Sequence, residues 1–370
     1  MTKTSGPTRV LTRRELNRAT LDRQLLLRRV RMPVPDAVEH LLGLQAQNTK
    51  PPYLALAARL DGFSRDELSE LIESRRVVRI PAMRSTVHLM TAADAVVLRP
   101  FSGPALEREL KMFRKGLTGV DLDELAALAG ELTTGGRTAT IKEIAERLLE
   151  RWPDADPLAL KIAARARLPL AQVPPRGIWG RGGQVTVATL DSYTGLPLDP
   201  APDAVRLARR YLAAFGPASV QDLQAWCGVT RLRPYVEQLR PELLVFRDEN
   251  GTELFDLPGA PRPDADTPAP PRFLGEYDNV LLSHADRSRV MDRELWREVS
   301  ARRYSYGTFT VDGFLRGLWR IAEDGGTATL AAETFTPLTG AERAAVEEEA
   351  AGVLRLAAPG VRHDLRFSDV

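Results

Sequence analysis

The sequence predicts an α+β fold, mainly helical, in which a group of helices followed by a two-stranded hairpin recurs three times ahead of a smaller α+β part. Three observations predict it. Apolar residues recur at helical spacing in segments that open on Ser, Thr or Asp and stop at Gly or Pro. Each helical group runs into two short β-rich segments joined by a turn. A Pro-rich stretch, PGAPRPDADTPAPP at 258–271, sets the third group apart from a region whose turns read DG and DGG. The recurrence is one of rhythm, without a sequence repeat.

In the first unit, helices are expected over about 11–30, over 35–46 after PVPD with Asp36 in the first turn, and over about 52–60. A fourth helix, FSRDELSELIES, opens on Ser64 with Glu67 three residues on, the spacing of a capping box. The β-rich runs RVVRIPAM and STVHLMT follow across a short basic turn. The second unit has a helix at about 121–132 ending before Gly135-Gly136, then TATIKEIAERLLE with Thr140 and Glu143 at capping-box spacing, then a helix at about 157–167. Its strand-like LAQVPP and QVTVATL are joined by the Gly-rich turn RGIWGRGG. In the third unit DAVRLARRYLAAFG leads through Pro217 to ASVQDLQAWCG, opened by Ser219 and Asp222 and ended by Gly228. VTRLRPYVEQL is its expected recognition helix, and Asn250-Gly251 between β runs marks a hairpin turn. The last part holds strand-like runs within YSYGTFTVDGFLRGLWRIAEDGGTATLAAETF, the charged helix TGAERAAVEEEAAGVLRLAA and a closing strand, RHDLRFS. Helices followed by a hairpin outline a winged helix-turn-helix. The units are therefore read as three tandem domains of that kind, 1–100, 101–200 and 201–262, with an α+β region at 263–370.

At 370 residues the chain is too long for one ordinary core. Its 44% hydrophobic and 27% charged residues give a soluble globular profile. No window approaches a membrane span, and the N-terminus lacks the apolar core of a secretory signal, so a cytoplasmic location is expected. One cysteine, Cys227, excludes an internal disulfide, and four scattered histidines argue against a metal site; no metal or organic cofactor is expected. Net charge is only +2, but residues 1–100 hold 17 Lys+Arg against 10 Asp+Glu. Arginine's planar fork suits phosphate. A GC-rich genome also enriches arginine, so the concentration in the first quarter is the better sign of a nucleic-acid partner.

A winged helix most often binds DNA through one helix in the major groove, although such domains also serve as protein–protein modules. Three in a chain exceed what a simple repressor needs. LGLQAQ, RIPAMRSTVHLM, RGIWGRGG, YLAAFGPASVQDLQAWCG and LLSHADRSRV occur in that order. In them the chain resembles the AlkZ-type winged-helix DNA glycosylases, from about residue 10 to its end. That family includes self-resistance enzymes of antibiotic producers. The resemblance implies a C-shaped protein with duplex DNA in its concave face. It also implies removal of N7-alkylated guanine, including bulky natural-product adducts and interstrand crosslinks, with nucleoid association following. The family's catalytic signature is a glutamine, an apolar residue, then glutamine or aspartate. Here it reads Gln45-Ala46-Gln47, the two-glutamine form of the resistance-type branch.

Glutamine is a poor acid or base but can hold a water or a base edge. Alkylation at N7 makes guanine cationic, so it leaves as a neutral purine without a general acid. Placing a water at the anomeric carbon remains, and side-chain amides can do that. Neighbours at i and i+2 do not face each other on a helix. Gln45 and Gln47 therefore converge only if the helix ends there, which Asn48 and Pro51-Pro52 allow. From spacing alone, solvating a helix C-terminus is the more ordinary reading of the pair, and the resemblance turns it toward a site. Alternation puts Arg84, Thr86 and His88 on one face of the hairpin.

The resemblance makes Arg84 a phosphate contact and His88 a cleft residue. The expected DNA-binding set is Asn48, Lys50, Arg84, Ser85, Thr86 and His88, with Arg176 and Arg181 around Trp179, and Arg287 and Arg289 after the apolar VLL run. Ser283, His284 and Asp286 sit too close together to imply a triad, and no nucleophile elbow occurs. Only Tyr53 is an aromatic near the glutamines, which predicts a shallow open site with little base stacking. Lys50 is the one lysine close by and nothing around it in the sequence marks an activated amine, so a monofunctional enzyme is expected, acting as a monomer without an obligate protein partner. The rival reading is a winged-helix transcriptional regulator, which would read two half-sites as a dimer. A protein-interaction scaffold fits the basic first unit less well.

Overall fold

The computed structural model describes residues 9–301 and 306–369. The first eight residues of the first expected unit, and Tyr304 and Ser305 at the head of the last strand-rich run, lie outside the described residues. The chain opens with β1 (Val10–Leu11), α1 (Arg13–Arg23), α2 (Val34–His40), β2 (Leu44–Gln45), α3 (Pro51–Arg59) and α4 (Arg65–Glu73). The hairpin β3 (Val77–Pro81) and β4 (Val87–Thr91) follows. Two helices absent from the sequence reading, α5 (Ala92–Phe101) and α6 (Gly103–Met112), come next. They lead to α7 (Leu122–Thr133), β5 (Ala139–Thr140), α8 (Ile141–Arg151), α9 (Pro157–Arg167), β6 (Leu170–Gln172), β7 (Thr186–Thr189) and α10 (Leu190–Thr194). A third set is α11 (Ala204–Phe215), α12 (Val220–Cys227), α13 (Arg233–Leu239), β8 (Leu244–Asp248) and β9 (Glu253–Asp256). The C-terminal part holds β10 (Arg272–Leu274), α14 (Asn279–Leu282), α15 (Arg293–Ala301), β11 (Gly307–Val311), β12 (Phe314–Asp324), β13 (Thr327–Thr334), α16 (Gly340–Ala357) and β14 (Arg362–Asp369).

Local chemistry explains most boundaries. Thr140/Glu143 and Ser219/Asp222 form reciprocal capping boxes at α8 and α12. At α4, Ser64 accepts from the Asp66 amide, but Glu67 turns away to accept from the Val34 amide at 3.4 Å, so the expected box is only half made. The helix expected over 35–46 stops at His40. Leu42 and Gly43 take φ of 55° and 84°, the left-handed turn that ends a helix, and the chain re-enters as the edge strand β2. The recognition helix is likewise shorter than expected, because Arg231 sits at φ 64° and α13 begins two residues later.

Three sheets organise the α+β fold. A six-stranded sheet, in the order β2-β4-β3-β6-β7-β5, fuses the first two hairpins through the pairing of Arg79 with Gln172. A three-stranded sheet adds β1 in parallel to the hairpin β8-β9. The C-terminal strands form a five-stranded sheet, β10-β11-β12-β13-β14, against which α16 packs Val346, Ala350 and Leu354. Ala328, Leu330 and Ala332 face inward at every second position of β13. The Pro-rich stretch is clamped to α1: Arg23 donates to Pro261 O at 3.1 Å and Arg18 to Thr267 O at 2.6 Å. Arg23 also makes a two-pronged pair with Asp256, which ties α1 to the end of β9. Among the described residues, no helix is long and apolar enough to cross a membrane.

Candidate active site

The two glutamines lie on the edge of the six-stranded sheet. Leu44 and Gln45 pair with Leu89 and His88 of β4, and the Ala46 amide continues the pairing to Val87 O at 2.7 Å. The chain is therefore extended where a helix end was expected, and extended geometry lets residues two apart share a side. Gln45 is buried and Gln47 exposed. The Gln45 Oε1 accepts from Arg84 Nη2 at 2.8 Å, and the Gln47 Oε1 accepts from the Val87 amide at 3.3 Å. Both partners can only donate, so each amide is fixed with its oxygen inward and its Nε2 hydrogens left to point elsewhere.

Arg84 is held from three sides. It sits at φ 54° in the turn between β3 and β4 and donates to Gln45 Oε1, to His88 Nε2 at 3.3 Å and to Trp226 O of α12. No carboxylate pairs with it among the described residues. Burial pushes its pKa down to about 10, with Arg287 adding to the effect. His88 is buried, and its Nδ1 lies 2.9 Å from Thr86 O. A carbonyl only accepts, so Nδ1 carries the proton and Nε2 receives the Arg84 donor. Burial, reinforced by the Arg84 charge, pushes the His88 pKa down to about 3. The imidazole is thus neutral near pH 7, and its place is behind Arg84.

A second buried arginine, which sequence reasoning missed, supports the loop from below. Arg79 of β3 donates to Ala46 O at 2.7 Å, between the two glutamines, while its Nε and Nη1 lack partners. Burial pushes it down to about 10, aided by the neighbouring charge of Arg176. Tyr53 donates to Gly177 O at 2.8 Å and accepts from the Trp179 amide, and its ring meets Trp179 edge-on at 5.1 Å. Lys50 lies 5.6 Å over that indole. These aromatics are packed against one another and the Gly-rich turn. A cavity of about 570 Å³ between α3 and α16 is lined by neither glutamine.

The other wall comes from the far end of the chain. Gly275 approaches so closely that a Cβ there would lie 3.0 Å from the Cα and O of Pro51. Asn48 donates to the Glu276 carboxylate. Asp278 pairs with Arg59 of α3 through two bonds of 2.8 Å, and Asn279 donates to Gly43 O at 2.8 Å and Leu41 O at 3.3 Å. Burial raises the Glu276 carboxyl above its ordinary range, and the Asn48 bond only partly opposes it. Nothing in GEYDN signals this contact in the sequence, because it exists only once residues far apart in the chain meet.

The remaining expected site residues are scattered. Ser85 donates to Glu109 at 2.6 Å and Thr86 to Met83 O at 3.1 Å, so both hydroxyls serve the turn. Arg176 reaches Gly183 O at 3.4 Å, and Arg181 is exposed and paired with Glu73 at 2.9 Å. Arg287 stacks over Trp296 at 3.6 Å and donates to Leu281 O. Arg289 is turned inward, bonded to Pro217 O and Thr20 Oγ1 and 3.9 Å from Asp222, so its guanidinium faces the interior and not a duplex outside. His284 is buried against Tyr211 and Phe215, bonded to Phe215 O.

Comparisons with known proteins show what the chain is similar to. The family model of AlkZ-like DNA glycosylases matches residues 38–356. An interstrand DNA cross-link repair glycosylase of Streptomyces sahachiroi is 27% identical over 364 residues, spanning 90% of this chain and 94% of the relative. The solved structure of the Streptomyces sahachiroi DNA glycosylase AlkZ superposes with a TM-score of 0.76 at 25% identity, covering 97% of this chain and 100% of that one.

Proposed function

From the premise that the chain belongs to the AlkZ-like DNA glycosylase family, we propose that it excises N7-alkylated guanine from duplex DNA and leaves an abasic site. Bulky natural-product adducts and interstrand crosslinks are included, the latter by analogy with the cross-link repair glycosylase of Streptomyces sahachiroi. Three tandem winged helices form the cleft, and a monomer acts without a protein partner in the cytoplasm, at the nucleoid. Self-resistance to a DNA-alkylating antibiotic is the physiological setting.

One observation carries the reading. Arg84 and the Val87 amide hold the oxygens of Gln45 and Gln47, so both side chains offer fixed N–H donors. Cationic N7-alkylguanine needs no protonation to depart, and a donor can seat a water by one lone pair while the other faces the anomeric carbon. Arg84 adds positive charge beside the loop, suited to a phosphate flanking the lesion, while Arg79 supports the loop from within. Gln47 lies exposed, which fits a lesion met in place without deep stacking.

The test is a short duplex with one N7-methylguanine, incubated with wild type, Gln45→Ala and Gln47→Ala, with released base and alkali-labile sites quantified. Release by wild type, lost in either variant while DNA binding persists, is expected. Tight binding without release, here and on a duplex with a bulky adduct, would transfer the protein to the regulator reading.

A further inference from the structure

Hydrolysis of the glycosidic bond leaves a proton to be placed. As the C1′–N9 bond breaks, its electron pair goes to the cationic base, which departs neutral. A C1′–O bond forms to water, and one water proton must then go to an acceptor. Neither glutamine can take it, since an amide is not a base near neutrality and both oxygens already accept from Arg84 and Val87. His88 is spent as well: its Nδ1–H donates to Thr86 O and its Nε2 accepts from Arg84.

Resting on the glycosylase reading above, we propose that Glu276 is the general base that receives this proton from the attacking water. Its carboxylate is bonded to Asn48, the residue after Gln47, which brings it to the glutamine loop. The segment that carries it is bolted to that loop by Gly275 on Pro51, Asp278 on Arg59, and Asn279 on Leu41 and Gly43. Such fixed placement is what a proton acceptor needs. Among the described residues Glu276 makes no ion pair, unlike Asp278 one turn of chain away.

The charged and titratable groups on the surrounding elements leave it available. Arg59 is neutralised by Asp278, Lys50 lies over Trp179, and Tyr277 beside it is held protonated by burial and by the Glu276 charge. Burial raises the carboxyl, so its conjugate base is a stronger proton acceptor than an ordinary carboxylate. An anion here also complements the cationic sugar that develops as the base departs.

The experiment is single-turnover base release from the N7-methylguanine duplex between about pH 4.5 and 8, for wild type, Glu276→Gln, Glu276→Asp and Asn48→Asp. The amide of Glu276→Gln can still accept from Asn48, so a merely structural role would survive it. Expected is a rate lower by about 10²-fold in Glu276→Gln, with loss of the acid limb that wild type shows above the ordinary carboxylate range, while duplex affinity and unfolding midpoint hold. Glu276→Asp recovers part of the rate. Asn48→Asp sets a second carboxylate against Glu276 and moves the acid limb to higher pH. An unchanged rate and limb in Glu276→Gln, or a limb unmoved in Asn48→Asp, overturns the proposal while leaving the glycosylase intact. No release by wild type at any pH overturns both.

Discussion

Arg59 and Arg84 are two arginines beside the glutamine loop, the first fully buried and the second half-buried, and they are treated in opposite ways. The guanidinium of Arg59 and the carboxylate of Asp278 are both 0% exposed and joined by two bonds. Arg84 has one carbonyl oxygen, one side-chain amide oxygen and an imidazole for company, and no carboxylate among the described residues. A buried charge without a counter-ion is unfavourable, and folding alone gives no reason to keep one. The difference separates an arginine whose charge is cancelled within the scaffold from one whose charge is not. Arg59 fixes the segment that carries Glu276; Arg84 gives its donors to Gln45, His88 and Trp226 O and has no counter-ion among the described residues.

The largest effect should follow from breaking the neutralised pair. Asp278→Ala leaves Arg59 buried and unpaired, and is expected to cost about 3–5 kcal/mol in denaturant unfolding. Replacing both partners by apolar residues of similar volume should restore most of that stability, as it removes both charges together. A loss below about 1 kcal/mol in the single variant would mean the pair is not what holds the wall.

Arg84→Met reverses the pattern. Removing an uncompensated charge should leave unfolding within about 1 kcal/mol of wild type, or raise it. Base release should fall by about 10²-fold or more, because Gln45 loses the donor that orients its amide. If stability collapses and catalysis in the folded fraction survives, the contrast with Arg59 is wrong.

The sequence made one side of this comparison legible and hid the other. Gln45, Gln47, Arg84 and His88 lie within one unit, in runs whose alternation and resemblance mark them, and the structure bonds Arg84 to Gln45 and His88 while Gln47 is held by the Val87 amide. The extended backbone at Gln45 was hidden, because LLGLQ continues a helical pattern and only the positive φ of Leu42 and Gly43 ends it. Arg79 reads as one more residue of a β-rich run, and its position under Ala46 depends on the merging of two hairpins into one sheet. Glu276 and Asp278 lie in a stretch with no periodicity or motif, and acquire meaning only by docking on α3. Helices α5 and α6 escaped for a plainer reason: Pro100 and Gly103-Pro104 interrupt what would otherwise read as a helical pair.

The pH dependence of stability sharpens the role of His88. Its folded pKa of about 3 lies below its unfolded value near 6.5, so the unfolded chain binds more protons between those limits. The contribution is complete above about pH 6.5 and is lost as pH falls toward 3. Acidification from pH 6.5 to 5 should remove about 1–2 kcal/mol through this residue, and His88→Asn should flatten that part of the unfolding profile. His284, also pushed down to about 3, contributes in the same sense, so the slope should be reduced and not abolished.

The smallest effect is expected where an arginine is paired but exposed. Arg181 and Glu73 form a bridge with 61% and 45% of their side chains accessible, a geometry that adds about 0–1 kcal/mol at most. Arg181→Gln should therefore leave unfolding and base release at wild-type values. Its guanidinium can exchange Glu73 for a phosphate at little cost, unlike Arg59, whose partner is sealed in. Non-specific duplex binding measured against salt should then lose about one counter-ion of slope in the variant. An unchanged slope would place Arg181 outside the DNA footprint.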